Sequence, residues 1–299
     1  MQLVTGSSGM IGTAYSEKIL LAGENFLGID LRKNSFVPEL NKKTLIANLL
    51  ERDFGKAVSN DIDIIIHLAA NARVYNLVKN PALAMDNCIT AFNIFEFARR
   101  HDISRIVLAS SREVYGEGGY PRKESDADFQ RCENPYAASK ILSESLATSY
   151  CKCYGISYII LRFSNVYGKY DISDRFVPLT IRRAIKNEPI VIYGSKVLDF
   201  TYIGDAVQGI MKAMQNFSQA KNDAYNIASG TGTKLTDVAK IVTGQLNSKS
   251  PVTVDKNREG EIMSFVADTG KARAQLSYKP EISIKEGLRM SVEWYRQNL

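Results

Sequence analysis

The first twelve residues decide the fold of this 299-residue chain: Met1-Gln2-Leu3-Val4-Thr5-Gly6-Ser7-Ser8-Gly9-Met10-Ile11-Gly12. An apolar segment, Gln2–Thr5, predicts a buried strand, and it runs directly into a glycine turn and a helix predicted over Gly12–Ala22. Glycines at Gly6, Gly9 and Gly12 suit a tight turn, a close backbone approach to a pyrophosphate, and packing of helix on strand. The helix N-terminus adds free N–H groups and partial positive charge. The stretch predicts a dinucleotide-binding unit.

The rest of the first half alternates strand and helix patterns. Near-continuous apolar runs predict further strands at Phe26–Ile29, Asp63–Ala69, Arg105–Ala109 and Ser157–Phe163, and helices at Pro81–Arg100 and Pro135–Tyr154. This alternation predicts an α/β fold with a Rossmann-type, doubly wound parallel sheet.

The pattern becomes irregular after about Ser164. Helices are predicted at Arg175–Lys186, Gly204–Gln215, Lys234–Leu246, Thr269–Leu276 and Ile284–Arg296, and strands at Ile190–Tyr193 and Tyr225–Ala228. We expect a smaller, mixed C-terminal substrate lobe. The predicted division is 1–164 plus about 199–229 for the dinucleotide-binding domain, and about 165–198 plus 230–299 for the lobe.

Composition and charge argue against nucleic-acid binding, a membrane location and a metal site. The net charge is +6, but the basic residues are scattered and accompany no nucleic-acid motif, so no nucleic-acid partner is predicted. No apolar run approaches the length of a membrane span and no secretory signal precedes the first strand, which predicts a cytoplasmic protein. The four cysteines lack metal-site spacing and there are only two histidines, so no metal site is predicted.

Asp30 ends the second predicted strand, about 20 residues after the glycine turn. An acidic side chain there accepts hydrogen bonds from the adenosine ribose hydroxyls and repels a 2′-phosphate. This favours NAD over NADP as the cofactor, although Arg32 nearby is a residue type that tolerates NADP.

Tyr136 and Lys140 lie one helical turn apart in Tyr-Ala-Ala-Ser-Lys, and therefore on one face. A nearby ammonium lowers the pKa of a tyrosine and makes it a usable base. Ser111 follows another predicted strand, at the sheet edge where ligands bind in open α/β folds. These residues predict a hydroxyl-oxidising site.

Several motifs in fixed order resemble the extended short-chain dehydrogenase/reductases, and more narrowly the NAD-dependent epimerases and dehydratases of nucleotide sugars, of UDP-glucose 4-epimerase type. The resemblance covers essentially the whole chain. It is carried by Thr5–Gly12, His67–Ala70, Ser110–Gly116, Tyr136–Lys140, Arg162–Gly168, Asp199–Asp205 and Arg258–Glu261.

The resemblance implies roles for the matching positions. Tyr136 is the implied base, Lys140 tunes its pKa, and Ser111 binds the same sugar hydroxyl, with Glu113 as a further catalytic candidate. The implied cofactor residues are Gly6, Gly9, Met10, Ile11, Gly12, Asp30, Leu31, Asn48, Leu49, Leu68, Ala69, Ala70, Asn87, Tyr136, Lys140 and Phe163. The implied substrate residues are Ser111, Arg112, Asn165, Val177, Tyr193, Leu198 and Arg258. A homodimer through the helices near Pro81–Arg100 and Pro135–Tyr154 is also implied.

Three positions depart from the family pattern. Leu198 replaces an arginine that often contacts the nucleotide, and Asn48 replaces an aspartate near the adenine. Arg112 replaces the aspartate of dehydratases, and a guanidinium cannot donate the proton that eliminates water. The leading hypothesis is 4-epimerisation of a UDP-hexose through a 4-keto sugar. A dehydratase or decarboxylase that uses Glu113, and a non-catalytic NAD-binding protein, are the alternatives.

Overall fold

The computed structural model describes residues 1–58, 61–119 and 121–298. Its strands are β1 (Gln2–Thr5), β2 (Phe26–Asp30), β3 (Thr44–Ile46), β4 (Ile64–His67), β5 (Arg105–Ser111), β6 (Ser157–Phe163), β7 (Asn165–Tyr167), β8 (Ile190–Tyr193), β9 (Val197–Tyr202), β10 (Asp223–Ile227), β11 (Gly232–Lys234), β12 (Val252–Asp255) and β13 (Ser264–Phe265). Its α-helices are α1 (Met10–Leu21), α2 (Val74–Lys79), α3 (Ala82–Arg100), α4 (Pro135–Tyr154), α5 (Phe176–Lys186), α6 (Ile203–Gln215), α7 (Phe217–Ala220), α8 (Leu235–Leu246), α9 (Gly270–Leu276) and α10 (Ile284–Asn298).

A parallel sheet forms the centre of the described chain, with strand order β10-β6-β5-β4-β1-β2-β3. The order reverses between β1 and β4, where an open α/β sheet leaves a crevice at the carboxyl ends of its strands. The Rossmann-type, doubly wound fold predicted from the sequence is confirmed.

Both faces of this sheet are covered. Along β4, Ile64 and Ile66 belong to a core that also holds α1 and α6, whereas Ile65 belongs to the core beneath α3 and α4. Since successive side chains of a strand point to opposite faces, a strand buried on both sides needs a continuous apolar sequence. This is why the apolar runs predicted the central strands well.

The C-terminal part contains two smaller sheets among the described residues. In the first, β9 pairs with β7, β11 and β13, and in the second β8 pairs with β12. The domain division stays a prediction, but the pairing places residues 199–202 in the first of these sheets and not in the central sheet. Short strands such as β7, β11 and β13 carry no length of periodic sequence, which explains why they were missed.

Candidate active site

The carboxyl ends of the central strands open onto a cleft of about 300 Å³. Fourteen of the predicted site residues line it: Ile11, Leu68, Ala70, Ser111, Arg112, Glu113, Tyr136, Lys140, Phe163, Asn165, Val177, Tyr193, Leu198 and Arg258. Residues that are up to 247 positions apart in the chain (258 − 11) therefore share one concave surface. The cleft lies at the switch point of the sheet, where ligands bind in this architecture.

Helix α4 brings Tyr136 and Lys140 into the cleft. Its first turn is fixed by Pro135 and by Asn134, whose side chain accepts a hydrogen bond from the Ala137 amide at 2.9 Å. The Lys140 ammonium donates to the Ala109 carbonyl at 2.9 Å and lies 5.8 Å from the centre of the Tyr136 ring. The strand end thus holds the cation beside the tyrosine.

Burial controls the ionisation of both groups. It lowers the pKa of Lys140 to about 8, and the negative charge of Glu144 opposes this effect. Burial also raises the pKa of Tyr136, and the Ser111 hydroxyl and the positive charges of Arg175 and Arg112 oppose that rise. The tyrosine therefore depends on nearby positive charge to act as a base.

The 3₁₀ turn Arg112–Tyr115 follows β5 and buries a carboxylate in the wall of the cleft. Glu113 is 3% exposed and both of its oxygens are engaged: Oε1 pairs with Arg112 Nη2 at 2.8 Å, and Oε2 accepts from Asn134 Nδ2 at 3.0 Å. Its amide donates to Ser111 Oγ at 3.3 Å. The contacts show a carboxylate that orders the residues around it.

The glycine turn has the tight geometry that its sequence predicts. Gly6 has φ +69°, and a Cβ at Gly12 would lie 2.0 Å from the Gly6 carbonyl oxygen. The hydroxyls of Ser7 and Ser8 are buried and have no hydrogen-bond partner among the described residues. A close-packed turn with unpaired donors at a helix start fits a dinucleotide phosphate.

Asp30 is the last residue of β2, as predicted, and its carboxylate faces the turn. Oδ2 accepts from the Ser8 amide at 2.9 Å and Oδ1 accepts from the Arg32 amide at 3.2 Å. The structure therefore links the acidic residue to the glycine turn through one backbone hydrogen bond.

The other predicted cofactor residues lie around this end of the cleft or apart from it. Leu31 is exposed, Asn48 accepts from the Leu50 amide at 3.1 Å, and the Leu49 carbonyl accepts from Asn93 at 2.8 Å. Ala69 donates from its amide to the Thr5 hydroxyl at 3.3 Å.

The buried Asn87 side chain accepts from the Asn71 amide at 2.7 Å and donates to Ser139 at 3.2 Å, so it fixes the loop after β4 to α4. The cofactor roles of all these residues stay predictions.

The opposite end of the cleft presents a second cation. The Arg258 guanidinium lies between two aromatic rings, 3.7 Å from the centre of Tyr193 and 4.6 Å from that of Tyr75. Asn165 donates to the Asp199 carbonyl at 2.9 Å, while Val177 and Leu198 are buried apolar members of the wall. This end offers positive charge and flat surfaces, which suit a nucleotide diphosphate.

Residues in or next to the site that sequence reasoning missed include Tyr75, Lys196, Phe265 and Asn134. Tyr75 lies in the unpredicted helix α2, Lys196 precedes β9 and pairs with Glu261, and the guanidinium of Arg112 lies 5.6 Å from the centre of the Phe265 ring. Asn134 carried a usable signal, since an asparagine before a proline is a strong helix N-cap. The roles of Tyr75, Lys196 and Phe265 depend on contacts between distant segments, which no local sequence pattern predicts.

Known proteins match this arrangement along the whole chain. A putative UDP-glucose 4-epimerase of Methanocaldococcus jannaschii is 32% identical over 308 residues, which cover 100% of this chain and 99% of the relative. A UDP-glucuronate 4-epimerase of Thermodesulfobacterium geofontis is 28% identical over 315 residues, which cover 99% of this chain and 96% of the relative. The crystal structure of a Thermus thermophilus UDP-glucose 4-epimerase in complex with NAD superposes with a TM-score of 0.90 at 26% identity, covering 100% of both chains.

The model of the NAD dependent epimerase/dehydratase family matches residues 2–228, which include the glycine turn, Ser111, Tyr136 and Lys140. Together with the relative at 32% identity, this match shows that the chain belongs to the NAD-dependent epimerase/dehydratase family.

Proposed function

We propose that the protein is an NAD-dependent nucleotide-sugar epimerase that inverts C4 of a UDP-hexose through a transient 4-keto sugar. The single observation that carries the proposal is the buried pairing of Tyr136 with Lys140 beside Ser111 in one cleft. The named relatives are 4-epimerases of UDP-sugars, and the family is NAD-dependent.

The cofactor fits the residues of the glycine-turn end. We assign the diphosphate to the turn formed by Gly6, Gly9 and Gly12 with Met10 and Ile11, and the adenosine ribose to Asp30. The remaining proposed contacts are Leu31, Asn48, Leu49, Leu68, Ala69, Ala70, Asn87, Tyr136, Lys140 and Phe163. When bound, NAD supplies a hydride acceptor for oxidation of the sugar and the donor for its later reduction.

The protein groups then handle one proton and the orientation of the sugar. Tyr136 takes the proton of the 4-hydroxyl while Ser111 hydrogen-bonds the same oxygen, and the Lys140 charge stabilises the phenolate. The keto sugar would have to regain the hydride on its other face after turning, and the return of the proton from Tyr136 to the oxygen would then complete the inversion. Arg258 binds the diphosphate, and Asn165, Val177, Tyr193 and Leu198 line the substrate side.

Product analysis tests the proposal directly. UDP-glucose, UDP-galactose and their uronate counterparts are incubated with enzyme and NAD, and the products are identified by NMR and mass spectrometry. We expect C4 epimers of unchanged mass. Loss of water or carbon dioxide, or the absence of conversion of all four compounds, contradicts the proposal.

Tyr136→Phe is the matching variant, and it removes the base while keeping the ring that packs against Leu77 and Ala84. Its kcat should fall by a factor of about 10² to 10⁴. Tyr150→Phe, on the same helix but in the core beneath α3, is the control and should keep full activity. Full activity of Tyr136→Phe instead supports the non-catalytic alternative.

The dehydratase or decarboxylase alternative depends on a free Glu113. Its carboxylate lies in the cleft wall but pairs with Arg112 and Asn134, which favours a structural role. A Glu113→Gln enzyme that still epimerises removes this alternative, whereas a wild-type product that has lost mass supports it.

We further propose a homodimer formed by α3 and α4. Met85, Ile89 and Phe92 lie on one face of α3 at helical spacing and are 61%, 39% and 39% exposed, and Leu142 of α4, which packs against α3, is 41% exposed. A second copy of this face would cover these apolar side chains.

A cytoplasmic location is proposed from thiol chemistry. The cysteines Cys88, Cys132, Cys151 and Cys153 are all free in the structure, as is usual in a reducing compartment. Among the described residues, no helix combines the length and apolarity required to cross a membrane.

A further inference from the structure

Arg112 has a hydrogen-bonding capacity that its protein partners do not use. The residue lines the cleft directly after Ser111, is 9% exposed, and pairs with Glu113 through Nη2. Its other terminal nitrogen, Nη1, is buried and has no hydrogen-bond partner in the described ranges of the chain. A buried charged donor without an acceptor is costly, so a ligand atom that supplies the acceptor is strongly favoured.

The charge of Arg112 is also only partly balanced. Among the residues that the structure describes, Arg112 has one carboxylate partner, Glu113, whose second oxygen accepts from Asn134. The neighbouring cation Lys196 has its own carboxylate, Glu261. The guanidinium face contacts the ring of Phe265 in β13, which fixes the plane of the fork without neutralising it.

Arg112 directly follows Ser111 in the chain, whereas Arg258 belongs to a different segment of the cleft wall. The aromatic pair around Arg258 marks the diphosphate end, whereas Arg112 follows the residue that binds the reacting hydroxyl. If Ser111 contacts the 4-hydroxyl, the next residue lies beside a carbon adjacent to C4, and C5 carries the C6 substituent. Oxidation of C6 turns a hexose into a hexuronic acid with a carboxylate at that position, and a guanidinium fork matches a carboxylate in charge and geometry.

We propose that Arg112 binds the C6 carboxylate of the sugar, so that the preferred substrate is a nucleotide-linked hexuronic acid. This inference rests on the proposed epimerase function and names its substrate class. Glu113 and Phe265 act as positioning residues that hold the guanidinium in place.

The experiment compares uronates with neutral hexoses. Values of kcat/KM are measured for UDP-glucuronate and UDP-galacturonate, and for UDP-glucose and UDP-galactose, and their dissociation constants are measured by calorimetry. We expect the wild type to prefer the uronates at least about 10-fold, since hydrogen bonds to charged groups are worth that much or more. In Arg112→Met/Glu113→Gln, which removes both charges and leaves neither buried ion unpaired, this preference should fall about 10- to 100-fold relative to the wild type.

Two further variants keep the test decisive. Arg73→Met removes another cation from the lining of the same cleft, and it should leave the uronate preference unchanged. Arg112→Lys keeps the charge but loses the fork, and it gives a second reading of the preference if the double variant does not fold by circular dichroism.

Each outcome has a distinct meaning. A wild type that epimerises the neutral sugars as well as the uronates overturns the carboxylate assignment and leaves the epimerase function standing. An equal loss of preference in Arg73→Met overturns the assignment to Arg112, because general charge then explains it. No turnover of any of the four compounds overturns the proposed function, and the dissociation constants then decide the carboxylate contact on their own.

Discussion

Lys140 links the burial of the site to its response to pH. Burial lowers the pKa of its ammonium to about 8, so the charge is present at neutral pH and is lost as the pH rises through that value. The ammonium lies 5.8 Å from the centre of the Tyr136 ring, so its deprotonation removes a positive charge that stabilises a phenolate there.

We therefore expect kcat/KM to fall above about pH 8 in the wild type. In Lys140→Arg the cation keeps its proton throughout the accessible range, so the alkaline limb should move to higher pH while kcat decreases. The measurement is a pH profile of epimer formation. An unchanged alkaline limb in Lys140→Arg assigns the limb to another group.

We expect a single residue, Asp30, to select NAD over NADP. Asp30→Asn keeps an acceptor for the Ser8 amide but removes the charge that repels a 2′-phosphate. The affinity for NADP relative to NAD should rise about 10-fold, the order expected for one close charge contact. Dissociation constants measured by fluorescence test this, with Glu39→Gln, an exposed carboxylate, as control. If the ratio does not move, Asp30 does not select the cofactor.

Among the secondary-structure elements, helix α4 and the 3₁₀ turn after β5 carry the candidate catalytic side chains. Helix α4 carries both Tyr136 and Lys140, and its cap Asn134 also donates to Glu113 and to the Gly260 carbonyl at 2.9 Å. The cap thus connects the start of α4 to the turn after β5 and to the loop that carries Arg258. The Asn134 side chain therefore both caps the helix locally and joins two distant segments of the cleft wall.

The effect of a Gly→Ala substitution on stability can be compared between the glycine turn, at Gly12, and an open helix position, at Gly244. In Gly12→Ala the new methyl would meet the Gly6 carbonyl, and backbone cannot move aside as a flexible side chain does. The free energy of unfolding should fall by about 1–3 kcal/mol, and NAD affinity should fall with it. In Gly244→Ala, within α8, nothing lies near the new Cβ, so the free energy of unfolding should rise by about 0.5–1 kcal/mol.

Urea unfolding with and without NAD measures both effects. The same substitution should therefore give opposite signs at two helical positions. A Gly12→Ala protein with normal stability and normal NAD affinity would show that the turn relaxes, against the packing described above.

At the scale of the whole molecule, the apolar face of α3 and α4 predicts the assembly. Phe92→Asp places a charge on this face and should convert a dimer to a monomer, because a buried unpaired carboxylate is costly. Light scattering coupled to size-exclusion chromatography gives the mass. Leu21→Asp, at an 80% exposed apolar side chain at the end of α1, is the control and should stay dimeric. A monomeric wild type at micromolar concentration contradicts the proposal.

The central sheet and the tight glycine turn were both predictable from local patterns in the sequence. Strands buried on both faces need continuous apolar residues, and a glycine turn has its own backbone requirement, so both appear as local patterns. The pairing of Tyr136 with Lys140 was likewise predictable, because residues four apart share one face of a helix.

The contacts around these residues could not be predicted from local patterns, because they join segments that are distant in the chain. Two aromatic rings enclose Arg258, and Asn134 binds Glu113, where distant segments of the chain meet. Arg112 likewise contacts Phe265 of β13, while its Nη1 has no partner in the described part of the chain. Short strands such as β7 and β13 form because β9 already offers them an edge, not because of a periodic sequence. Local propensity specifies elements, whereas the contacts that select a substrate are made between elements and exist only once the chain has folded.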